Sequence, residues 1–277
     1  MTAIYSPAEK GFSERLAVVD RAQVALLREI TSAFGPRRMI LKGGMAMRAV
    51  VGSMRLTKDI DFDRDPSLSL QSTKNQLRNA LKAAGSNAGI RDIAAEITKE
   101  TSTTVRARLV GRSAGGVELR FEVEVSGRAA ELKREYIQVV TVSPPREYGM
   151  APFVVTAYTV DMLAAMKIAA AMSERRNAPR DIYDLNDLAG LGADPVELLA
   201  QQPTELLEDV QAQALAKLEL ITYDLAREEL LPYLPTAERN ALSEDRWIEM
   251  TIQVAQYIDD WAAGAIQRQN PSPDAPH

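Results

Sequence analysis

Cysteine is absent from the 277 residues, and histidine occurs once, as His277. Thiolate nucleophiles, disulfides and Cys/His zinc sites are therefore excluded, and histidine acid/base chemistry very nearly so. Any catalysis has to come from carboxylates, lysine, arginine, hydroxyls or a metal ion. Long apolar runs are missing too. The longest uncharged stretch in the middle of the chain, Tyr148 to Val160, is too short to span a bilayer, and no cationic segment leads into an apolar one at the N-terminus. A soluble, cytoplasmic protein is the expectation. Positive charge is scarce in the last third, where residues 191–277 carry 5 Lys/Arg against 16 Asp/Glu, whereas residues 1–190 carry 28 against 22. The basic front permits a phosphate-rich partner without requiring one.

Apolar residues make up 46% of the chain, enough for one large core or two modest ones. Leu16, Val19, Val24, Leu27 and Ile30 fall at helical spacing between Ser13 and Phe34, and Gly35-Pro36 ends the pattern. A strand over Met39 to Leu41 then meets Gly43-Gly44 and a helix-prone segment, Met45 to Val51. Asp59-Ile60-Asp61-Phe62-Asp63 alternates as a strand does, and Pro66 suits the first turn of a helix over 67–84. Strands are expected over 93–97, 103–110, 117–125 and 139–142. From Val160 on nearly every segment has helical periodicity, with helices expected over 159–176, 179–189, 203–230 and 236–264 and a disordered tail over 269–277. These patterns place a mixed α/β domain over 1–150 and a helical domain over 151–268.

Asp59 and Asp61 leave the same face of their strand. Two adjacent carboxylates repel unless a cation lies between them, and Mg2+ suits hard oxygen ligands and substrate phosphates. Alone, the pair also fits the solvated face of an edge strand. About fifteen residues upstream, however, Gly43 and Gly44 stand at a strand–helix junction, where backbone N–H groups can cradle an anion. A phosphate turn beside a metal site is what transfer from a nucleoside triphosphate requires. Glu122 and Glu124 share a face of a later strand, and one of them, Glu124 by preference, could complete a metal triad. Lys167 lies at the edge of an apolar helical stripe, where it can snorkel to solvent or reach a triphosphate. Asp181 occupies the third position of a helix opened by Pro179, and Arg180 can pair with Asp184. Thr57 lies two residues before Asp59. A phosphate on it would add about −1.5 to −2 charge at the triphosphate entry, although strand propensity explains a threonine there as well.

Four blocks in order, Leu41-Lys42-Gly43-Gly44-Met45-Ala46-Met47-Arg48, then Arg55 to Phe62, then Lys167, then Arg180 to Leu185, resemble the AbiEii/AbiGii-type nucleotidyltransferase toxins, which include the MenT enzymes. The resemblance covers residues 38–190. It implies a DNA-polymerase-β-like fold with a helical C-terminal part, an antitoxin, and transfer of a nucleotide from an NTP to the 3′ end of tRNA, which blocks aminoacylation. It also implies roles: Asp59 and Asp61 as metal-binding catalytic carboxylates, Lys167 in triphosphate handling, Asp181 as the essential aspartate of the last motif. Gly43, Gly44, Met45 and Arg48 would form the nucleotide-binding turn. The family usually has Ser or Thr where this chain has Met45, which leaves only a backbone N–H to meet a phosphate there. A protein hydroxyl as acceptor, or nucleotide binding without turnover, are the rival readings.

Overall fold

An eight-stranded mixed sheet dominates the first unit of the chain, Met1–Tyr158, whereas the second unit, from Thr159 on, has no strand among its described residues. The computed structural model describes residues 1–35, 37–127 and 134–270.

In the first unit the strands are β1 (Thr2–Ala3), β2 (Met39–Lys42), β3 (Asp59–Arg64), β4 (Arg91–Glu100), β5 (Thr104–Arg112), β6 (Glu118–Ser126), β7 (Ile137–Ser143) and β8 (Phe153–Tyr158). They lie in the order β1-β7-β8-β2-β3-β6-β5-β4. β3 pairs antiparallel with β2 and parallel with β6, so it sits near the middle of the sheet. The alternation read in the sequence holds: Ile60 and Phe62 of β3, Val123 and Val125 of β6, and Val105, Ala107 and Leu109 of β5 are fully buried. Helices α1 (Glu14–Phe34) and α3 (Leu70–Asn87) pack on each other, and α3 also packs on β4 and β5, with Val24, Leu27 and Ile30 of α1 and Leu77 and Leu81 of α3 buried. The charged residues of β3, β5 and β6 therefore share the opposite face.

Several boundaries move for identifiable reasons. The Ser69 hydroxyl accepts from the Ser72 N–H and caps α3, so this helix starts at Leu70 and Pro66 stays outside it. The segment after β2 becomes helical at the glycines themselves, as α2 (Gly43–Ala46), and continues as a π-helical turn, Met47–Val51. β8 arises inside the uncharged stretch and was not expected as a strand. Its last four residues are all buried, so it lacks the alternation that marks a half-exposed strand. Since β8 lies between β7 and β2, the sheet unit runs to Tyr158, beyond the boundary at 150.

The second unit comprises α4 (Val160–Ala171), α5 (Pro179–Gly190), α6 (Val196–Leu199), α7 (Thr204–Glu219), α8 (Tyr223–Glu229), α9 (Thr236–Ala241) and α10 (Glu244–Gln269). The two long helices expected over 203–230 and 236–264 are each broken in two. Thr222 caps α8 and Ser243 caps α10, and each side chain accepts from a backbone N–H three residues on. Helix α10 reaches Gln269, so the expected tail loses its start, and residues 271–277, with His277, lie outside the described residues. Leu218, Val254 and Ile258 are buried with Trp247, whose Nε1 donates to the Ile221 carbonyl at 2.9 Å. Leu206, Leu215, Ile248 and Ile252 are exposed.

The π-helical turn also decides the fate of Arg48, which the motif resemblance placed in the nucleotide site. Arg48 is wholly buried. Its Nε and Nη2 donate to the two carboxylate oxygens of Asp20 at 3.1 Å each, and Nη2 donates to the Tyr5 carbonyl at 2.8 Å. The guanidinium carbon lies 3.7 Å over the Tyr5 ring, and Tyr148 donates its hydroxyl proton to Asp20 at 2.5 Å. Burial, then the Asp20 charge, hold the Tyr148 phenol well above its ordinary pKa, so it stays a donor. Arg48 is thus a structural clamp between α1 and the segment after β2. Arg48→Met leaves Asp20 buried and uncompensated and should lower unfolding stability in urea by about 3–5 kcal/mol.

Candidate active site

Four carboxylates lie side by side on the charged face of the first unit. Parallel register puts Asp59 opposite Glu122 and Asp61 opposite Glu124. On the far side of β6, antiparallel register puts Arg108 opposite Glu122 and Arg106 opposite Glu124. The glutamates turn toward the arginines. Arg106 donates from Nε and Nη2 to Glu124 Oε2 at 3.1 and 2.6 Å, and Arg108 donates from Nε and Nη2 to Glu122 Oε1 at 3.1 and 2.9 Å. The Arg108 hydrogen bond is the main reason that the Glu122 pKa lies below its ordinary value. The Arg106 pKa is raised, first by its hydrogen bond to Glu124 and further by the charges of Glu124, Glu122 and Asp59.

The glycine turn is packed against the acids of β3. A Cβ built on Gly43 would stand 2.5 Å from Asp61 Oδ2, and one on Gly44 would collide with the Thr57 hydroxyl. Gly43 also has φ +66, in the left-handed region. Thr57 precedes β3, and its hydroxyl donates to the Asp59 carbonyl at 3.3 Å, so the side chain fills the space that Gly44 leaves. Met45 is fully buried. Its side chain belongs to the core, and only its backbone could face a nucleotide.

As donors, Asp59 and Asp61 fit a hard divalent cation: two partly exposed carboxylates on one strand face, the rest of the coordination sphere left to water and phosphate. The three-acid set with Glu124 is not assembled. No group of three such side chains is poised for a metal among the described residues, because Glu124 is turned to Arg106.

In the second unit Lys167 of α4 is buried, and its ammonium contacts Asp181 Oδ1 at 2.8 Å and Asp184 Oδ2 at 2.5 Å, both on α5. The Arg176 Nε donates to Asp181 Oδ2 at 2.6 Å. Neither sequence reading of Lys167, snorkelling or reaching out, describes this arrangement, and Asp184 finds Lys167 as a partner. Burial would raise the Asp181 pKa, but the Lys167 charge and then the Arg176 hydrogen bond outweigh it, and the carboxyl lies below its ordinary value.

Sequence reasoning gave no role to Lys42, Asp63, Tyr158, Arg106 or Arg108. Lys42 lies opposite Asp61 in register and reaches Asp63 Oδ1 at 2.6 Å, while the Tyr158 hydroxyl donates to Asp63 Oδ2 at 2.8 Å. Asp63 continues the Asp59, Asp61 alternation and could have been read with them. The Arg-x-Arg of one strand against the Glu-x-Glu of the next was also present as a hairpin pattern.

Residues 25–269 match the family model described as Nucleotidyl transferase AbiEii toxin, Type IV TA system. No curated protein matches the sequence. Among solved structures the chain is similar to a candidate nucleotidyltransferase from Helicobacter pylori, with a TM-score of 0.63 and 19% identity over 91% of this chain and 98% of that one. JHP933 from Helicobacter pylori superposes at 0.61 with 17% identity, over 94% and 98% of the two chains. MenT4, a nucleotidyltransferase toxin from Mycobacterium tuberculosis, superposes at 0.52 with 17% identity, over 95% and 96%. At these identities the likeness is one of fold, and it agrees with the mixed α/β nucleotidyltransferase architecture expected from the motifs.

Two measurements follow from this geometry. Gly43→Ala should cost about 1–2 kcal/mol from the left-handed backbone alone, and should weaken Mn2+ binding further because Asp61 must move; equal Mn2+ affinity would contradict the packing. Asp181 has a folded pKa below its ordinary 3.8, so the stability it contributes is present above that value and is lost as pH falls through the lower, folded one. Asp181→Asn should therefore be less stable at pH 7 and show a shallower loss below about pH 4 in acid-unfolding curves.

Proposed function

The chain belongs to the AbiEii family of nucleotidyltransferase toxins, and we propose that it transfers a nucleoside monophosphate from an Mg2+-bound NTP to the 3′ hydroxyl of an RNA, tRNA first, so blocking aminoacylation. Membership in a type IV toxin–antitoxin family also implies a nucleotide substrate and an antitoxin partner. The observation that carries the reading is the contact of the glycine turn with Asp61, which brings a backbone able to meet phosphate against a carboxylate pair suited to a divalent cation.

When bound, the metal supplies Lewis-acid polarisation and neutralises charge on the phosphates. Asp59 and Asp61 hold it. The backbone N–H groups of Gly43 and Gly44 orient the triphosphate, and an acidic side chain of this face takes the proton of the attacking hydroxyl. The oxygen–α-phosphorus bond forms as the bond to the β-phosphate oxygen breaks, and pyrophosphate leaves. Lys167 and Asp181, which the resemblance assigns to triphosphate handling and to the last essential motif, are closed with Asp184 into one buried ion cluster, so in this reading Asp181 is a positioning residue that fixes the Lys167 ammonium. The basic balance of residues 1–190 supports a polyanionic acceptor.

Purified protein incubated with bulk tRNA, Mg2+ and each NTP labelled at the α-phosphate should transfer label to tRNA from at least one of them. Asp59→Ala should lower that rate roughly a hundred- to a thousandfold. Equal labelling by the variant would overturn the mechanism. Label found on protein, or NTP binding without pyrophosphate release, would replace the RNA acceptor with one of the rival readings.

A further inference from the structure

Glu124 lies between two claims. In register it faces Asp61 on one side and Arg106 on the other. Its neighbour Glu122 is held by more than one cation: Arg108 at 2.9 Å, Arg120 at 3.5 Å and, more distantly, Arg106 at 3.9 Å. Glu124 has an ion pair with Arg106 alone, at 2.6 Å, among the described residues. The Arg106 side chain is 38% exposed and that of Glu124 25% exposed, so water reaches both, and an ion pair this open is weak. The glutamate best placed in register to join Asp61 is therefore also the one with a single arginine to give up among the described residues.

We infer that Arg106 is a positioning residue that competes with the divalent cation for Glu124. Without metal, Arg106 keeps Glu124 turned away and offsets the charge of the acid column, Asp59 included. With a cation on Asp59 and Asp61, the field that favoured the Arg106 pair is partly cancelled, and a third hard oxygen becomes more useful beside Asp61 than beside the guanidinium. Glu124 then exchanges partners, and the three-acid set is completed only when a cation is present. Such an exchange makes metal affinity depend on a residue that never touches the metal.

This inference rests on the metal reading under the proposed function, and titration of Mn2+ into nucleotide-free protein, followed by the electron paramagnetic resonance of free Mn2+, tests the two separately. Arg106→Gln should bind Mn2+ roughly tenfold more tightly than wild type. In the Glu124→Gln background, Arg106→Gln should change affinity by less than about twofold, since no ligand remains to be released. Loss of a nearby positive charge alone would tighten binding equally in both backgrounds, and that result would overturn the exchange. Wild-type affinity in Arg106→Gln, with binding lost in Asp59→Asn, would overturn the role of Arg106 and leave the metal site standing. Undiminished binding in Asp59→Asn would overturn both. Thermal melts of each variant establish that the titrated protein is folded.

Discussion

Gly43 lies so close to Asp61 that no side chain fits between them, and this contact constrains both the turn and the strand. The turn must keep a left-handed residue, and β3 must hold Asp61 in register with Lys42, directly after which the chain turns. Gly44 repeats the constraint against Thr57. Two missing Cβ atoms thus bring a segment of open backbone against a pair of carboxylates. Proximity of this kind cannot be supplied by longer side chains, because a Cβ on Gly43 would push Asp61 away from the turn and one on Gly44 would collide with Thr57.

Charge is handled in two ways in this molecule. Where it is buried, it is closed on itself: Arg48 with Asp20 under the tyrosines, and Lys167 with Asp181 and Asp184. Removal of one partner in such a cluster leaves an uncompensated charge in a low dielectric, which is why these side chains act as clamps. Where charge is half-exposed, as on the β3-β6-β5 face, two adjoining acid columns lie beside a cationic one and are joined to it by solvent-open ion pairs. Chemistry on a triphosphate belongs to the second kind of arrangement, because a substrate can displace only what is loosely held.

Solved structures under 20% identical share the fold over nearly the full chain, so the sheet and the helical unit tolerate almost complete replacement of their side chains. The glycine turn has no such latitude in this chain, because Asp61 fills the space beside Gly43 and Thr57 the space beside Gly44.

The sequence alone was enough for the order of most strands and helices, for the shared face of Asp59 and Asp61, and for the family through its four motif blocks. These features depend on near neighbours in the chain: alternation, helical spacing and turn chemistry act over a few residues and leave their mark in composition. Strand β8 left no such mark, because a strand covered along most of its length has no alternation to read. Arg48 and Glu124 were misplaced or half-placed for a related reason. A motif states which residues occur together, whereas burial by a π-helical turn, or capture of a glutamate by an arginine eighteen positions away, is decided by elements distant in sequence. Which charged side chains are closed into the interior and which stay open to a ligand was settled by tertiary packing alone, since desolvation depends on everything that surrounds a group and not on its place in the chain.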